Sequence, residues 1–265
     1  MRIYNINSNT MKNIFYTILL CSLFALTACE TTQEITVNKN GGGVVKNTTD
    51  MSSAIAMVKQ FASQDSSAGE KLKLDTSLAL ASFADSIATL KPEEKKLVKK
   101  GNWSIKVNGD EEKFISVLEY PFEKAEQINT INTALMTVIQ TKLMDQVAKS
   151  GAALPPGMDE KTKPGEQSSI DDYFELKMTD GKVERKLKKE KYTNIENDQS
   201  IMGLKNFSGM GASVKYNYII NLPRPAKKTE GKLVKLSADK KKVTIAATSD
   251  DFFEDPSKFE YKIEF

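Results

Sequence analysis

The sequence predicts an α+β fold: an antiparallel β-sheet built from successive hairpins, with three or four inserted helices packed on one face. Short runs of alternating apolar and polar residues are separated by Gly, Asn and Asp turns, as hairpins require. Longer runs with apolar residues three and four apart fall between the hairpins. About ten strands result, mostly hairpin-paired, and that grouping favours a sheet with inserted helices.

The elements follow in order. Ile35 and Val37 face one way and Thr36 the other; Asn38-Lys39-Asn40-Gly41-Gly42-Gly43 is turn chemistry, and Val44–Thr49 returns, so a first hairpin is expected. The glycines lack the spacing of a phosphate-binding loop and no helix follows them directly. Met51–Ala62 and Thr76–Leu90 carry helical spacing (Ile55, Met57, Val58, Phe61; then Leu78, Leu80, Phe83, Ile87, Leu90). Pro92-Glu93-Glu94 opens a short helix that ends at Gly101, after Lys99-Lys100. Trp103–Val107 and Lys113–Tyr120 form a second hairpin, and Phe122–Lys149 is the longest helical segment. Residues 151–169, rich in Pro, Gly and charge, read as a linker or long loop.

A third hairpin joins Tyr173–Met178 to Lys182–Lys189 across Asp180-Gly181, and Ile195–Phe207 reads as a short irregular helix. Val214, Tyr216, Tyr218, Ile220 and Leu222 keep strict period two until Pro223-Arg224-Pro225 ends the strand. Lys232–Leu236 and Lys242–Ala247 pair across Ala238-Asp239-Lys240. A helical turn over Asp250–Ser257 precedes alternating Phe259, Tyr261, Ile263 and Phe265. The organisation is therefore a leader at 1–28, a half at 29–150, the linker at 151–169 and a β-rich half at 170–265, the two halves forming one domain or two.

The leader carries the most specific signal. Lys12, with Arg2 upstream, supplies positive charge; Ile14–Leu26 is a 13-residue apolar run; Thr27 and Ala28 are small, and Cys29 follows. The run is shorter than the roughly 20 residues that span a bilayer, which favours a cleaved signal. Met11 is a better start than Met1. Leu26-Thr27-Ala28-Cys29 matches a lipobox, with cleavage between Ala28 and Cys29 and acylation of Cys29. Cys21 would be removed with the leader.

Composition excludes much chemistry. There is no His, and no Cys after Cys29. Ser-His-Asp, Cys-His and His-ligated zinc hydrolysis therefore have no residues to work with in this chain. Carboxylate, Ser-Lys and oxygen-ligated cation chemistry survive. Removing 1–28 takes away Arg2 and Lys12 and no acid, leaving 36 basic against 35 acidic residues. That balance gives no argument for nucleic-acid binding.

Candidate sites are correspondingly bland. Asp171-Asp172 and Asp250-Asp251 with Glu254-Asp255 are the densest carboxylates, but neither shows the alternating ligands and Gly turn of a calcium loop. Asp250-Asp251 reads as a helix cap. The basic run Lys182–Lys191 could attract anionic headgroups, yet reads better as a solvated strand that resists edge aggregation. Trp103 and the terminal aromatics (Tyr216, Tyr218, Phe252, Phe253, Phe259, Tyr261, Phe265) read as core, as do the helical methionines. No catalytic residue, cofactor or metal ligand is assigned.

The order of features resembles a family of uncharacterised envelope lipoproteins of Bacteroidota. The matching segments are Ile35–Gly41 near the Cys, Thr49-Asp50-Met51, Pro92–Lys95, Leu222–Pro225, Leu236–Ile245 and Asp255-Pro256 to Phe259. More remotely, the chain is similar to the LppM-type lipoprotein domain. Resemblance to bacterial lipoproteins implies a diacylglyceryl group on the Cys29 sulfur and an amide-linked chain of the palmitate kind. Glu30 rather than Asp after the Cys implies, by the enteric sorting rule, the outer membrane. The expectation is a lipid-anchored, non-enzymatic binding or structural module, on the periplasmic or outer face, contacting an envelope protein partner and no nucleic acid. Its rivals are a carboxylate-dependent envelope glycan hydrolase, needing two acids about 5–10 Å apart in a cleft, and a carrier of a lipid or hydrophobic ligand.

Overall fold

The computed structural model describes residues 29–53, 73–82, 84–88, 90–135, 168–209 and 212–265. Within them the fold is mixed α+β with antiparallel sheets. The strands are β1 (Glu30–Val37), β2 (Gly43–Asp50), β3 (Lys73–Ala79), β4 (Asn102–Asn108), β5 (Lys113–Phe122), β6 (Phe174–Thr179), β7 (Lys182–Leu187), β8 (Lys215–Asn221), β9 (Lys228–Glu230), β10 (Val234–Leu236), β11 (Lys242–Thr248) and β12 (Tyr261–Glu264). The helices are α1 (Pro92–Val98), α2 (126–135 as far as described), α3 (Lys189–Thr193), α4 (Gln199–Gly209) and α5 (Ser249–Glu254).

Four expected hairpins are present: β1–β2, β4–β5, β6–β7 and β10–β11. Their turns have local causes. Gly41 sits at φ 85 and its N–H bonds to the Asn38 carbonyl, and Gly181 also takes φ 85. At Gly42 a Cβ would lie 2.8 Å from the Phe122 carbonyl oxygen, so the turn also needs glycine for clearance.

Three expectations are corrected. The strands form two sheets, not one: an eight-stranded sheet in the order β10-β11-β8-β1-β2-β5-β4-β3, and a four-stranded sheet β6-β7-β12-β9. The large sheet is also not purely hairpin-built, because β1 pairs in parallel with β8. Alternation marks which face a residue takes but not its partner strand or direction. The parallel pair is held by outer-face rungs: Asn217 donates to Glu30 at 2.7 Å and Asn221 to Glu34 at 2.7 Å. Strands from both sides of residues 151–169 share this sheet.

The second correction concerns Thr76–Leu90. Residues 73–79 are strand β3, paired with β4, and two 3₁₀ turns follow at Leu80–Ser82 and Ala84–Ser86. Short apolar runs are ambiguous between helix and strand, and the free edge of β4 decided it. Leu80, Ile87 and Leu90 are still buried, whereas Leu78 is exposed. The expected strand to Lys189 likewise stops at Leu187, and helix α3 follows. The expected helix over Met51–Ala62 beyond Ser53, the part of Phe122–Lys149 beyond residue 135, and the linker before Ser168 lie outside the described residues.

The core lies between the sheets. Ile35, Val37, Val45, Tyr120, Ile220 and Ile245 come from the inner face of the large sheet and are almost fully buried. Helix α2 packs on the same face, where the Tyr120 hydroxyl donates to the Ile128 carbonyl (3.1 Å) and contacts Asn132 (2.6 Å). Phe252, fully buried on α5, has ring contacts with Tyr173, Phe174, Tyr192, Phe253 and Phe259. Trp103 is core, and its indole donates to Ser116 at 2.9 Å. The helix starts follow ordinary capping: Glu94 accepts from the Lys91 amide at 2.9 Å, and Thr248 and Asp251 cap each other at the start of α5.

Candidate functional site at the Cys29 end of the large sheet

Cys29 immediately precedes β1, the fourth strand from one edge of the large sheet and the fifth from the other. The Lys215 amide donates to its carbonyl at 3.0 Å, so the sheet ladder already includes it. Glu30 is flanked by Asp50 of β2 and Lys215 of β8. The same end of the sheet holds the end of β11 at Thr248, the start of α5, and the β4–β5 turn at 109–112. Strand β2 ends at Asp50 and β3 begins at Lys73, also at this end. The opposite end holds the β1–β2 turn and Pro223-Arg224-Pro225.

The Cys29 side chain is partly buried. Burial raises its thiol pKa, its own backbone opposes this, and Asp50 adds to the rise. A thiol held protonated is a poor nucleophile, so its surroundings do not point to redox or covalent catalysis.

The dense carboxylates are given structural work. Asp172 accepts from the Ser169 amide at 2.8 Å. Asp250 accepts from Ser213 at 2.6 Å; Asp251 holds Thr248 and Lys258; Asp255 holds Lys232 at 2.7 Å and Ser257. Glu254 approaches Lys258 at 3.8 Å. Burial alone would raise the Asp251 pKa, but Lys258 and Thr248 outweigh it and hold the carboxyl below its ordinary value. Among the described residues, no three acidic or Cys side chains converge as a metal site would require. Ser249 is fully buried, with Ser208, Ser213 and the Val214 amide as partners. None of these is a base, so the hydroxyl ties α4 and β8 to α5 without being activated.

One constellation was not foreseen. Arg185 of the basic run is buried, not solvated, with its side chain only 3% exposed. Its guanidinium lies between the rings of Phe174 and Tyr218, 4.3 Å from each centroid. It pairs with Asp171 at 2.8 Å, and Asp171 also accepts from the Tyr218 hydroxyl at 2.8 Å. Arg185 Nε and the Tyr261 hydroxyl are buried without a hydrogen-bond partner in the structure. Burial works against the charge on Arg185, but Tyr218 and Asp171 outweigh it and raise its pKa. The group joins β7 of the small sheet to β8 of the large one. Period two with Val183 places Arg185 on the apolar face of β7, a signal present in the sequence but masked by five neighbouring lysines. The rest of the run does not form one strand: Lys182 pairs with Glu184, Lys188 donates to the Asp172 carbonyl, and Lys191 lies over Tyr173.

The buried phenols carry a pH prediction. Burial raises the pKa of Tyr120 and Tyr218 well above the ordinary value, and that of Tyr261 to about 12. A raised folded pKa contributes stability that is complete below the unfolded value of about 10 and is lost as pH rises through the folded value. These phenols should therefore ionise together with unfolding. Phenolate absorbance and circular dichroism should change in one coincident alkaline transition. Smooth titration near pH 10 of every tyrosine, with the fold intact, would contradict this.

Two surface depressions are open to solvent, one lined by Lys186–Glu190 and the other, more polar, by residues including Asn40, Glu123, Lys124 and Asp180. No family model, curated protein or solved structure matches the chain.

Proposed function

We propose that this chain is a lipid-anchored lipoprotein of the cell envelope, acylated at Cys29, that works as a non-enzymatic binding or structural module near the outer membrane. The observation that carries this reading is Leu26-Thr27-Ala28-Cys29 behind a basic, then apolar, leader, with the fold starting directly after the Cys. A module of the kind found in Bacteroidota envelope lipoproteins fits this order of features. The non-enzymatic part draws support from the absence of His in the sequence and from the structural partners of each dense carboxylate. The interior between the sheets is filled by aromatic and aliphatic side chains, which speaks for a packed module over a carrier.

The test is the mass of the mature amino terminus after expression with the leader in an acylating bacterium. The expected product begins at Cys29 and carries a thioether-linked diacylglycerol and an amide-linked acyl chain. An uncleaved chain, or a terminus at any other residue, would refute the reading.

A further inference from the structure

We propose that the domain stands on the lipid surface by the Cys29 end of its large sheet, with the β1–β2 turn and Pro223-Arg224-Pro225 pointing away. This rests on the lipoprotein reading above and adds an orientation to it. No residue separates the anchoring Cys from the rigid body, because the Cys29 carbonyl is already bonded to Lys215 and Glu30 is flanked by strands on both sides. A flexible linker of about 16 Gly and Ser residues would instead reach roughly 20–24 Å and let the domain tumble.

The anchor's place within the sheet restricts tilting. Three strands lie on one side of β1 and four on the other. At roughly 4.8 Å per strand, tipping the domain onto either edge would lift Cys29 about 14–19 Å from the surface. Such a lift would draw the acyl chains out of the hydrocarbon, and each exposed CH₂ costs about 0.8 kcal/mol. Resting on the outer face lifts Cys29 less, but that face interleaves Lys46, Lys106 and Lys242 with Glu34, Asp75 and Glu119 and presents mixed charge to headgroups. At the Cys29 end of the sheet, Glu30, Asp50, Asp110, Glu111, Glu112 and Asp250 outweigh Lys73, Lys113 and Lys215. The acyl group, not headgroup charge, therefore sets the orientation. The far end of β1 stands roughly 26 Å away, given its eight residues.

The experiment uses the acylated protein in phosphatidylcholine vesicles containing a headgroup spin-labelled lipid. A fluorophore is placed on Glu111→Cys or Lys39→Cys, both exposed positions; the Cys29 sulfur, already in a thioether, does not react. Quenching is expected to be several-fold stronger at 111 than at 39. The contrast should survive raised salt and added phosphatidylglycerol. Equal quenching at both positions overturns the orientation while leaving acylation intact. A contrast that needs anionic lipid and collapses in salt also overturns it, since the Lys186–Lys191 run would then be docking. Inserting the Gly/Ser linker between Cys29 and Glu30 should even out the two signals, and an unchanged contrast would refute the tether argument. A protein that is never acylated removes both the orientation and the reading beneath it.

Discussion

Replacing Cys29 by Ser is expected to abolish incorporation of labelled palmitate and, once the leader is removed, to leave the protein in the soluble fraction. The effect should be near complete because anchoring depends on this residue twice over. On the proposed reading the sulfur takes the diacylglyceryl group, and only cleavage before the modified Cys frees the amine for the further chain. A single chain gives marginal, reversible binding, so losing both leaves no anchor. No helix among the described residues is long and apolar enough to cross a membrane. The fold itself should be preserved. The interaction that fixes Cys29 in the sheet uses its carbonyl, which Ser supplies equally. The variant should therefore keep the circular dichroism and melting temperature of the protein with its anchor removed. Cys21→Ser should leave localisation unchanged. If the Cys29 variant remains acylated and sediments with membranes, the central claim fails.

Replacing Arg185 by Met is expected to destabilise the fold by about 3 kcal/mol. Removing one member of a buried ion pair typically costs about 3–5 kcal/mol, because the other charge loses its partner. The low end applies here, since Asp171 keeps a side-chain exposure of 24% and can recover some hydration. The variant also loses two cation–π contacts, with Phe174 and Tyr218. For a domain of this size the melting temperature should fall on the order of 10 °C. Combining Arg185→Met with Asp171→Leu should recover much of the loss, because no unpaired charge then remains between the sheets. Thermal unfolding of the single and double variants would decide it. Equal losses that simply add would mean that Arg185 acts through packing alone, not through its pairing with Asp171.

Much of the local structure was legible because its causes are local. The turns at Asn38–Gly43 and Asp180-Gly181 need residues that tolerate positive φ, and those residues are there. Pro92 and Glu94 specify the start of α1 by their own chemistry. The alternation of Tyr216, Tyr218 and Ile220 marks β8 and its inward face. The misreadings arose where a long-range partner decides. Residues 73–79 became a strand because β4 offered an edge, and Lys182–Lys189 ended early at Leu187, whose amide donates to the Glu260 side chain while the Lys188 amide donates to the Tyr173 carbonyl. Arg185 was hidden in a run whose average is strongly basic, although its own position faces the core.

By itself, the sequence determined the hairpins, the capped helix starts and the apolar faces. Each depends on residues within a few positions of one another, where sterics, backbone hydrogen bonds and charge act without knowledge of the rest of the chain. Only the tertiary structure decided that β1 lies in parallel beside β8 inside an eight-stranded sheet, and that Arg185, Asp171 and Tyr218 meet between two sheets. Those contacts join residues far apart along the chain. Alternation is the same for a parallel or antiparallel neighbour, so the choice falls to packing of whole faces and to cross-strand rungs such as Asn217 with Glu30.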